Sequence, residues 1–407
     1  MALIPVAEAL ARILAVASRP VGTEQVALED AAGRTLAADV ASLRTQPPFA
    51  ASAMDGYAVR LADTATVPAT LDVIGASAAG RGFAGAVEPG QAVRIFTGAP
   101  IPAGADAIVI QEDTDAAGGR VVVREAPLPG RFIRPSGLDF QQGQVLLRAG
   151  QRLDARRLAL AAAKSHPRLE VRRKPRVAIL ATGDELVRPG EPAGPDQIVA
   201  SNPYALRAIV ERAGGDAIDL GIAGDTIEDL ARHIEAAKAA GADLLVTLGG
   251  ASVGEHDLVQ PALLQGGMEL GFWRVALRPG KPLMHGRLGD MLLIGLPGNP
   301  VSSIVCGILF VAPAIRALLG DPSAGDDPAE AAILGGDLPA NDARQDYMRA
   351  ALSRSAEGSL IATAQKRQDS SMLATLAESE GLIVRAPHAP TAKACDPCRV
   401  IVMDRFC

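Results

Sequence analysis

The stretch "RVAILATGDEL", Arg176 to Leu186, decides the fold. Its apolar run has strand length and no polar alternation, which suits a strand covered on both faces, and it empties into a glycine and two acids. The same texture repeats downstream. "NPYALRAIVERAGG" reads as a helix closed by Gly214 and Gly215, "AIDLGI" as a strand, and "DTIEDLARHIEAAKAAG" as a helix capped by Asp225 or Thr226. "ADLLVTL" is a further strand, a helix opens at Asp257, "FWRVAL" and "MLLIGL" are strands, and a long helix follows Pro300. Apolar strands separated by helices predict an α/β layer on a mostly parallel sheet over residues 176–322.

On either side the texture changes. From 46 to 143, short β-branched runs ("QAVRIF", "DAIVIQ", "GRVVVRE") alternate with turn signals ("PIPAG", "AAGG", "PLPG"), which predicts a β insertion domain. Residues 1–45 read as a helix, a glycine turn at Gly33 and a short strand. Together with 144–175, where "DARRLALAAAK" forms a helix opening at Asp154, they make a discontinuous helical segment. Residues 323–407 return to short strands and turns, a C-terminal β domain. A chain of 407 residues exceeds one ordinary core, so a multidomain α/β plus β protein fits its length.

Composition narrows the function. With 48% apolar and 21% charged residues the chain is globular rather than disordered, and its net charge of −6 argues against a nucleic-acid partner. Its first residues are apolar but lack a basic start, and Val6, Leu10, Ile13, Leu14 and Ala17 recur at helical spacing, so an amphipathic surface helix is expected. The longest apolar run, Ile304 to Ile315, is shorter than the roughly 18 residues of a membrane span, and predicts a buried helix ended or bent at Pro313. Cys395 and Cys398 have the spacing of a redox or zinc pair. No second pair lies near them, so reduced thiols and a cytoplasmic address are expected.

Three loops leave the carboxyl ends of apolar strands: "TGDEL" (Thr182 to Leu186), "LGGASVGEHD" (Leu248 to Asp257) and "LPGNPVS" (Leu296 to Ser302). In a parallel sheet those ends share one edge, and ligands bind where the strand order reverses. Glycine admits a ligand close to the backbone, and N–H groups at helix starts favour anions. Asp184, Glu185, Asp225 and Asp257 are interleaved with these loops. Four carboxylates beside an anionic ligand call for a cation, and Mg²⁺, which takes carboxylate and phosphate oxygens together, suits that need. In "RVALRPGKPLMHG", Arg278 and Lys281 flank a stiff Pro-Gly turn and suggest an oxyanion clamp. There is no Gly-rich phosphate loop ending in Gly-Lys-Ser/Thr. Gly250 to Gly254 does match the G-x-S-x-G elbow of serine hydrolases, with Ser252 as the nucleophile. An elbow starts its helix at once, whereas here Glu255, His256 and Asp257 intervene. A lone acid, Asp55, stands in "PPFAASAMDGYAVR" with no partner in its local sequence.

"SAMDGYAVR", "TGAPIPAGADAIV", "TGDEL", "LGGASVGEHD", "RPGKP" and "LPGNPVS" occur in the order and spacing found in molybdopterin molybdenumtransferases, and by these motifs the chain resembles the MoeA family, which includes the gephyrin E domain. The resemblance spans essentially the whole chain. It implies a homodimeric, four-domain enzyme that inserts molybdate into adenylylated molybdopterin with Mg²⁺ and releases AMP. It further implies that Asp184, Glu185, Asp225 and Asp257 handle Mg²⁺ and the pyrophosphate. Gly249, Gly250, Ser252, Gly254, Pro297 and Pro300 would hold the pterin nucleotide, and Arg278, Lys281, Ser302, Arg349 and Ser370 the molybdate. Glu185, Asp225, Asp257, Lys281 and Asp55 would serve catalysis. Thr97, Arg134 and Asp139 would complete the site from the β insertion of the other subunit, and Asp55 would find its partner across that interface. Arg278 stands where the family usually has lysine and Leu138 where glutamate is common. A tungstate-handling relative or a non-catalytic scaffold of the same fold are the alternatives.

Overall fold

The computed structural model describes residues 3–250 and 258–407. Helix α1, Val6–Val16, buries Val6, Ala9 and Ile13 as its helical spacing requires. It packs into the core of the α/β layer, and Ile4 bridges to Val275. A six-stranded sheet follows, built from β1 (Gly56–Val59), β2 (Ala69–Ser77), β3 (Gln91–Ile95), β4 (Ala107–Ile110), β5 (Thr114–Ala117) and β6 (Arg120–Val123). Its order is β4-β1-β3-β2-β6-β5. Helix α2, Ala155–Ala163, opens where the sequence places it: the Asp154 carboxylate accepts the Arg157 N–H.

The central layer comprises β7 (Arg176–Thr182), α3 (Asn202–Ala213), β8 (Asp216–Ala223), α4 (Ile227–Ala239), β9 (Leu244–Leu248), α5 (Val259–Gln265), β10 (Glu269–Trp273), β11 (Met284–Leu288), β12 (Met291–Leu296) and α6 (Pro300–Leu318). The sheet order is β8-β7-β9-β12-β11-β10. The first four strands are parallel, and β11 runs antiparallel to both its neighbours, β12 and β10. Alternate residues face opposite cores. Val177, Ile179, Val246 and Leu248 meet α1, α3 and α6, while Ala178, Leu180 and Leu245 meet α4 and α5. After β8 the chain crosses back over β7 to lay down β9, so the strand order reverses between β7 and β9.

Two sequence expectations are corrected here. "FWRVAL" is not one strand: β10 ends at Trp273, Arg274 takes a positive φ of 90°, and Leu277–Arg278 joins the C-terminal sheet beside Gln345 and Asp346. Helix α6 does not end at Pro313. A widened turn over Gly307–Val311, closed by the Ala312 N–H on the Gly307 carbonyl, absorbs the proline, and the helix runs on to Leu318. At 19 residues and a mean hydropathy of 2.0, α6 is long and apolar enough to cross a bilayer. Here 83% of it is buried within the protein instead, as the core helix of the layer.

The last unit consists of β13 (Glu330–Leu334), β14 (Gln345–Arg354), β15 (Leu360–Ala364), β16 (Gly381–Arg385) and β17 (Pro397–Val402). The order β14-β15-β13-β17-β16 closes because β16 pairs back onto β14, giving a small barrel around Leu334, Ala350, Ile383 and Val400. One polar atom in the α/β core is out of place. Thr247, 1% exposed on β9, buries a hydroxyl with no hydrogen-bond partner among the described residues. Thr247→Val removes that desolvated group at nearly constant shape. It is expected to raise the unfolding free energy by about 1 kcal/mol, read as a higher denaturant midpoint.

Candidate active site

Because β7 and β9 are neighbours at the reversal, the turns that follow them face each other. Gly249 has φ of 100°, and a Cβ there would lie 2.9 Å from the Thr182 carbonyl oxygen, so only glycine lets the two turns approach this closely. Gly183, at φ of 138°, packs so tightly under Glu185 that a Cβ would sit 2.2 Å from its carboxylate. Between them opens a cleft of about 770 Å³. Its walls include Thr182, Glu185, Asp225, Gly249, Gly250, Pro297 and Pro300, so all three glycine- or proline-rich loops contribute.

The acids divide between two hollows. Thr226, not Asp225, caps α4 by accepting the Asp229 N–H, which leaves Asp225 at the cleft with Glu185. Asp184 opens instead into an adjoining hollow of about 450 Å³ with Glu191 and His233, which corrects the expectation that all these acids share one wall. The two sites touch, however. Asp225 N–H donates to Asp184 Oδ1 at 3.1 Å, and Asp184 N–H to Asp225 Oδ2 at 3.5 Å. Among the described residues no three His, Cys, Asp or Glu side chains are grouped to hold a metal ion. The donor set still fits Mg²⁺, which binds through one or two carboxylates and completes its shell with water and phosphate oxygens. Ser252, Gly254 and Asp257, and the start of a helix at Asp257, lie outside the described residues.

At the far wall, α6 begins beside the barrel. Asn299 Nδ2 donates to Ser370 Oγ at 2.8 Å, and Val301 N–H to the Ser370 carbonyl at 3.1 Å, which docks the 367–372 loop on the helix start. Ser302 is buried in the first turn. Arg349, 1% exposed, lies beneath that loop: it donates to the carbonyls of Arg367 and Met372 and to Gln368, and burial pulls it below the usual arginine range. It therefore shapes the loop rather than reaching into the cleft. Lys281 is exposed at the rim next to Pro282, a cleft residue, and no carboxylate among the described residues pairs with it.

Arg278 is a different kind of cation. Its guanidinium donates to Asp346 at 2.9 Å, to Asp342 at 3.2 Å and to Asn341 at 3.0 Å, and the Asp346 hydrogen bond raises its pKa. It ties the α/β layer to the barrel and brings no unpaired charge to an oxyanion. Asp342, held down to about 2 chiefly by Arg344, belongs to the same cluster.

Asp55, Thr97, Arg134 and Asp139 lie on the β insertion and none lines the cleft of its own chain. Asp55 does have a partner in its own domain, contrary to the sequence expectation. Because β1 and β3 pair with Gly56 opposite Ile95, residue 55 meets the turn after β3. Its Oδ1 accepts both the N–H of Thr97 (2.7 Å) and its hydroxyl (2.8 Å), with the N–H bond first among the causes that lower its pKa. Sequence reasoning missed Asn202, whose Nδ2 holds the Gly298 carbonyl at 2.6 Å, and Ser371, which lines the cleft. Asn202 was legible only as a helix start. The apolar pair Ile198 and Val199, exposed at the mouth, did carry a signal, being out of character with the polar loop around it.

Comparison with known proteins agrees with this architecture. Residues 4–164 match the MoeA N-terminal region (domain I and II), 178–317 a probable molybdopterin binding domain, and 331–403 the MoeA C-terminal region (domain IV). A molybdopterin molybdenumtransferase of Haemophilus influenzae is 35% identical over 90% of this chain and 90% of its own length. The chain belongs to the MoeA family. A Bacillus subtilis molybdopterin molybdenumtransferase is 37% identical over 94% of this chain and 90% of its own. The MoeA fold is seen whole in the molybdopterin biosynthesis protein of Pyrococcus horikoshii OT3, with a TM-score of 0.86 at 28% identity, covering 98% of this chain and 100% of that one.

Proposed function

We propose that the chain is a molybdopterin molybdenumtransferase, which takes adenylylated molybdopterin and molybdate and yields molybdenum-loaded cofactor and AMP. The observation that carries this reading is the cleft at the strand-order reversal. It has acids at one end and a rim lysine and hydroxyls at the other, in a chain whose relatives bear that name. A nucleotide-linked pterin with a pyrophosphate needs a long groove with backbone N–H groups in reach; the Gly250 N–H meets no backbone acceptor among the described residues, while that of Gly249 is held by the Leu296 carbonyl at 3.1 Å. Asp184, Glu185 and Asp225 would hold Mg²⁺ with the phosphates, and the ion would neutralise charge building on the pyrophosphate as it is cleaved. Lys281, Ser302 and Ser370 would hold the molybdate dianion beside the dithiolene. Arg278 and Arg349 support that pocket from behind through the contacts described above.

We propose a homodimer built on the β insertion, supported by Phe49, Met54, Phe96 and Leu138, which are exposed around Asp55, Thr97, Arg134 and Asp139 as an apolar and charged face suited to a second subunit's cleft. We assign the division 1–45 with 144–175, 46–143, 176–322 and 323–407 to the four domains. Four free cysteines suit a reducing cytoplasm.

The direct test incubates purified protein with adenylylated molybdopterin, Mg²⁺ and molybdate and follows AMP together with active cofactor. Both appearing in step supports the reading, and AMP without molybdenum insertion, or neither, refutes it. Lys281→Ala is expected to raise the molybdate concentration for half-maximal turnover about tenfold to a hundredfold, the value of one lost contact to a charged group. Nucleotide binding should stay within twofold. Weakened nucleotide binding at an unchanged molybdate dependence would move Lys281 out of the oxyanion pocket.

A further inference from the structure

Away from the cleft, the chain's charge is uneven. Residues 148–176 carry ten of its 40 Lys and Arg residues against two acids, in a protein of net charge −6. Part of this strip lines a second cavity, of about 110 Å³, where the N-terminal segment meets the α/β layer. That is far more than the roughly 10–15 Å³ a single water needs. Its walls are Gly33, Arg34, Thr35, Arg152, Lys174 and the helix end at Glu211 and Gly214.

Two of the charged walls are already matched: Arg34 pairs with Glu24, and Glu211 with Arg207 at 2.9 Å. Arg152 and Lys174 are not. Among the described residues Arg152 donates to backbone carbonyls alone, Gly33 at 3.0 Å and Arg212 at 2.8 Å. Burial, and repulsion from Arg212 and Arg316, pull it below the usual arginine range. Lys174 has no carboxylate within ion-pair distance among the described residues. Thr35 is 3% exposed and lines the cavity, yet no hydrogen bond among the described residues holds its hydroxyl. Arg152 and Lys174 are both exposed, so water reaches this hollow, and two cations with no carboxylate partner beside an uncommitted hydroxyl concentrate positive potential where a small anion can enter.

We propose that this joint is a second binding site, for a small tetrahedral dianion of the phosphate class, held between Arg152, Lys174 and the Thr35 hydroxyl. Two positive charges match the dianion, Nη2 of Arg152 remains to donate while Nε and Nη1 are held by the Gly33 and Arg212 carbonyls, and the Thr35 hydroxyl supplies a further donor. The site borrows residues from both sides of the joint, so occupancy would brace the N-terminal segment against the α/β layer.

The test titrates inorganic phosphate into the full chain by calorimetry in a chloride buffer of low ionic strength. One saturable site is expected, at least tenfold weaker in Lys174→Ala and unchanged in Lys281→Ala. Lys174 makes no side-chain hydrogen bond among the described residues and is exposed, so that variant should fold normally. A matched thermal melt should show phosphate raising the wild-type midpoint and leaving that of Lys174→Ala in place. Displacement of the phosphate by AMP would assign the site to a nucleotide's phosphate end, and failure of AMP to displace it would assign it to the free oxyanion. No binding, equal binding by Lys174→Ala, or loss in Lys281→Ala instead would overturn the proposal.

Discussion

Asp225→Asn is expected to slow AMP release from adenylylated molybdopterin about a hundredfold. The asparagine keeps an oxygen toward the Asp184 N–H, so the reciprocal contact between the two turns survives and the change isolates charge. A charged contact to the reacting group is worth up to roughly 3 kcal/mol, and each 1.4 kcal/mol is about tenfold in rate. The Mg²⁺ concentration for half-maximal rate should rise as well, while the denaturant midpoint stays put because Asp225 caps nothing. Single-turnover AMP release at saturating and limiting Mg²⁺ reads both. A rate within threefold of the parent would remove Asp225 from the chemistry.

Gly183→Val should be the most damaging single change at the cleft. A β-branched residue at φ of 138° carries backbone strain of about 1–3 kcal/mol, and its Cβ would occupy the place of the Glu185 carboxylate, 2.2 Å away. Glu185, exposed and flexible, must swing out of its seat, so stability falls by about 1–3 kcal/mol from the backbone strain and AMP release falls with the displaced carboxylate. Gly190→Ala is the control: Gly190 also has positive φ, at 88°, but a Cβ there meets nothing within 4 Å. That variant should lose some stability and keep its activity. If both variants were equally active, the close packing under Glu185 would have no functional weight.

What the sequence revealed and what it hid divide along the range of the contacts. The buried strands β7 and β9 and the glycine-closed α3 are legible because hydrophobic period and chain punctuation are local properties. The meeting of the turns at Thr182 and Gly249 follows from those elements once a parallel sheet is inferred, so the cleft was legible too. The antiparallel pair Thr23–Ala27 with Arg168–Arg172 was not, since its first strand is mostly exposed and shows little apolar alternation. Nor could local pattern reveal that Arg278 is claimed by Asp342 and Asp346, more than 60 residues on, or that Asp55 rests on Thr97, 42 residues away. Asp184 and Glu185 illustrate the finest limit. Neighbours on one turn open into different hollows, and Gly183, which lines both, gives no hint in the sequence of which acid faces the larger one.

The central claim is the location of the pterin nucleotide, and backbone hydrogen exchange with and without adenylylated molybdopterin tests it most directly. Slowed exchange is expected in 182–186, at Gly249 and Gly250, and in 297–301. Protection confined to other surfaces, with these segments exchanging as in the free protein, would contradict the account.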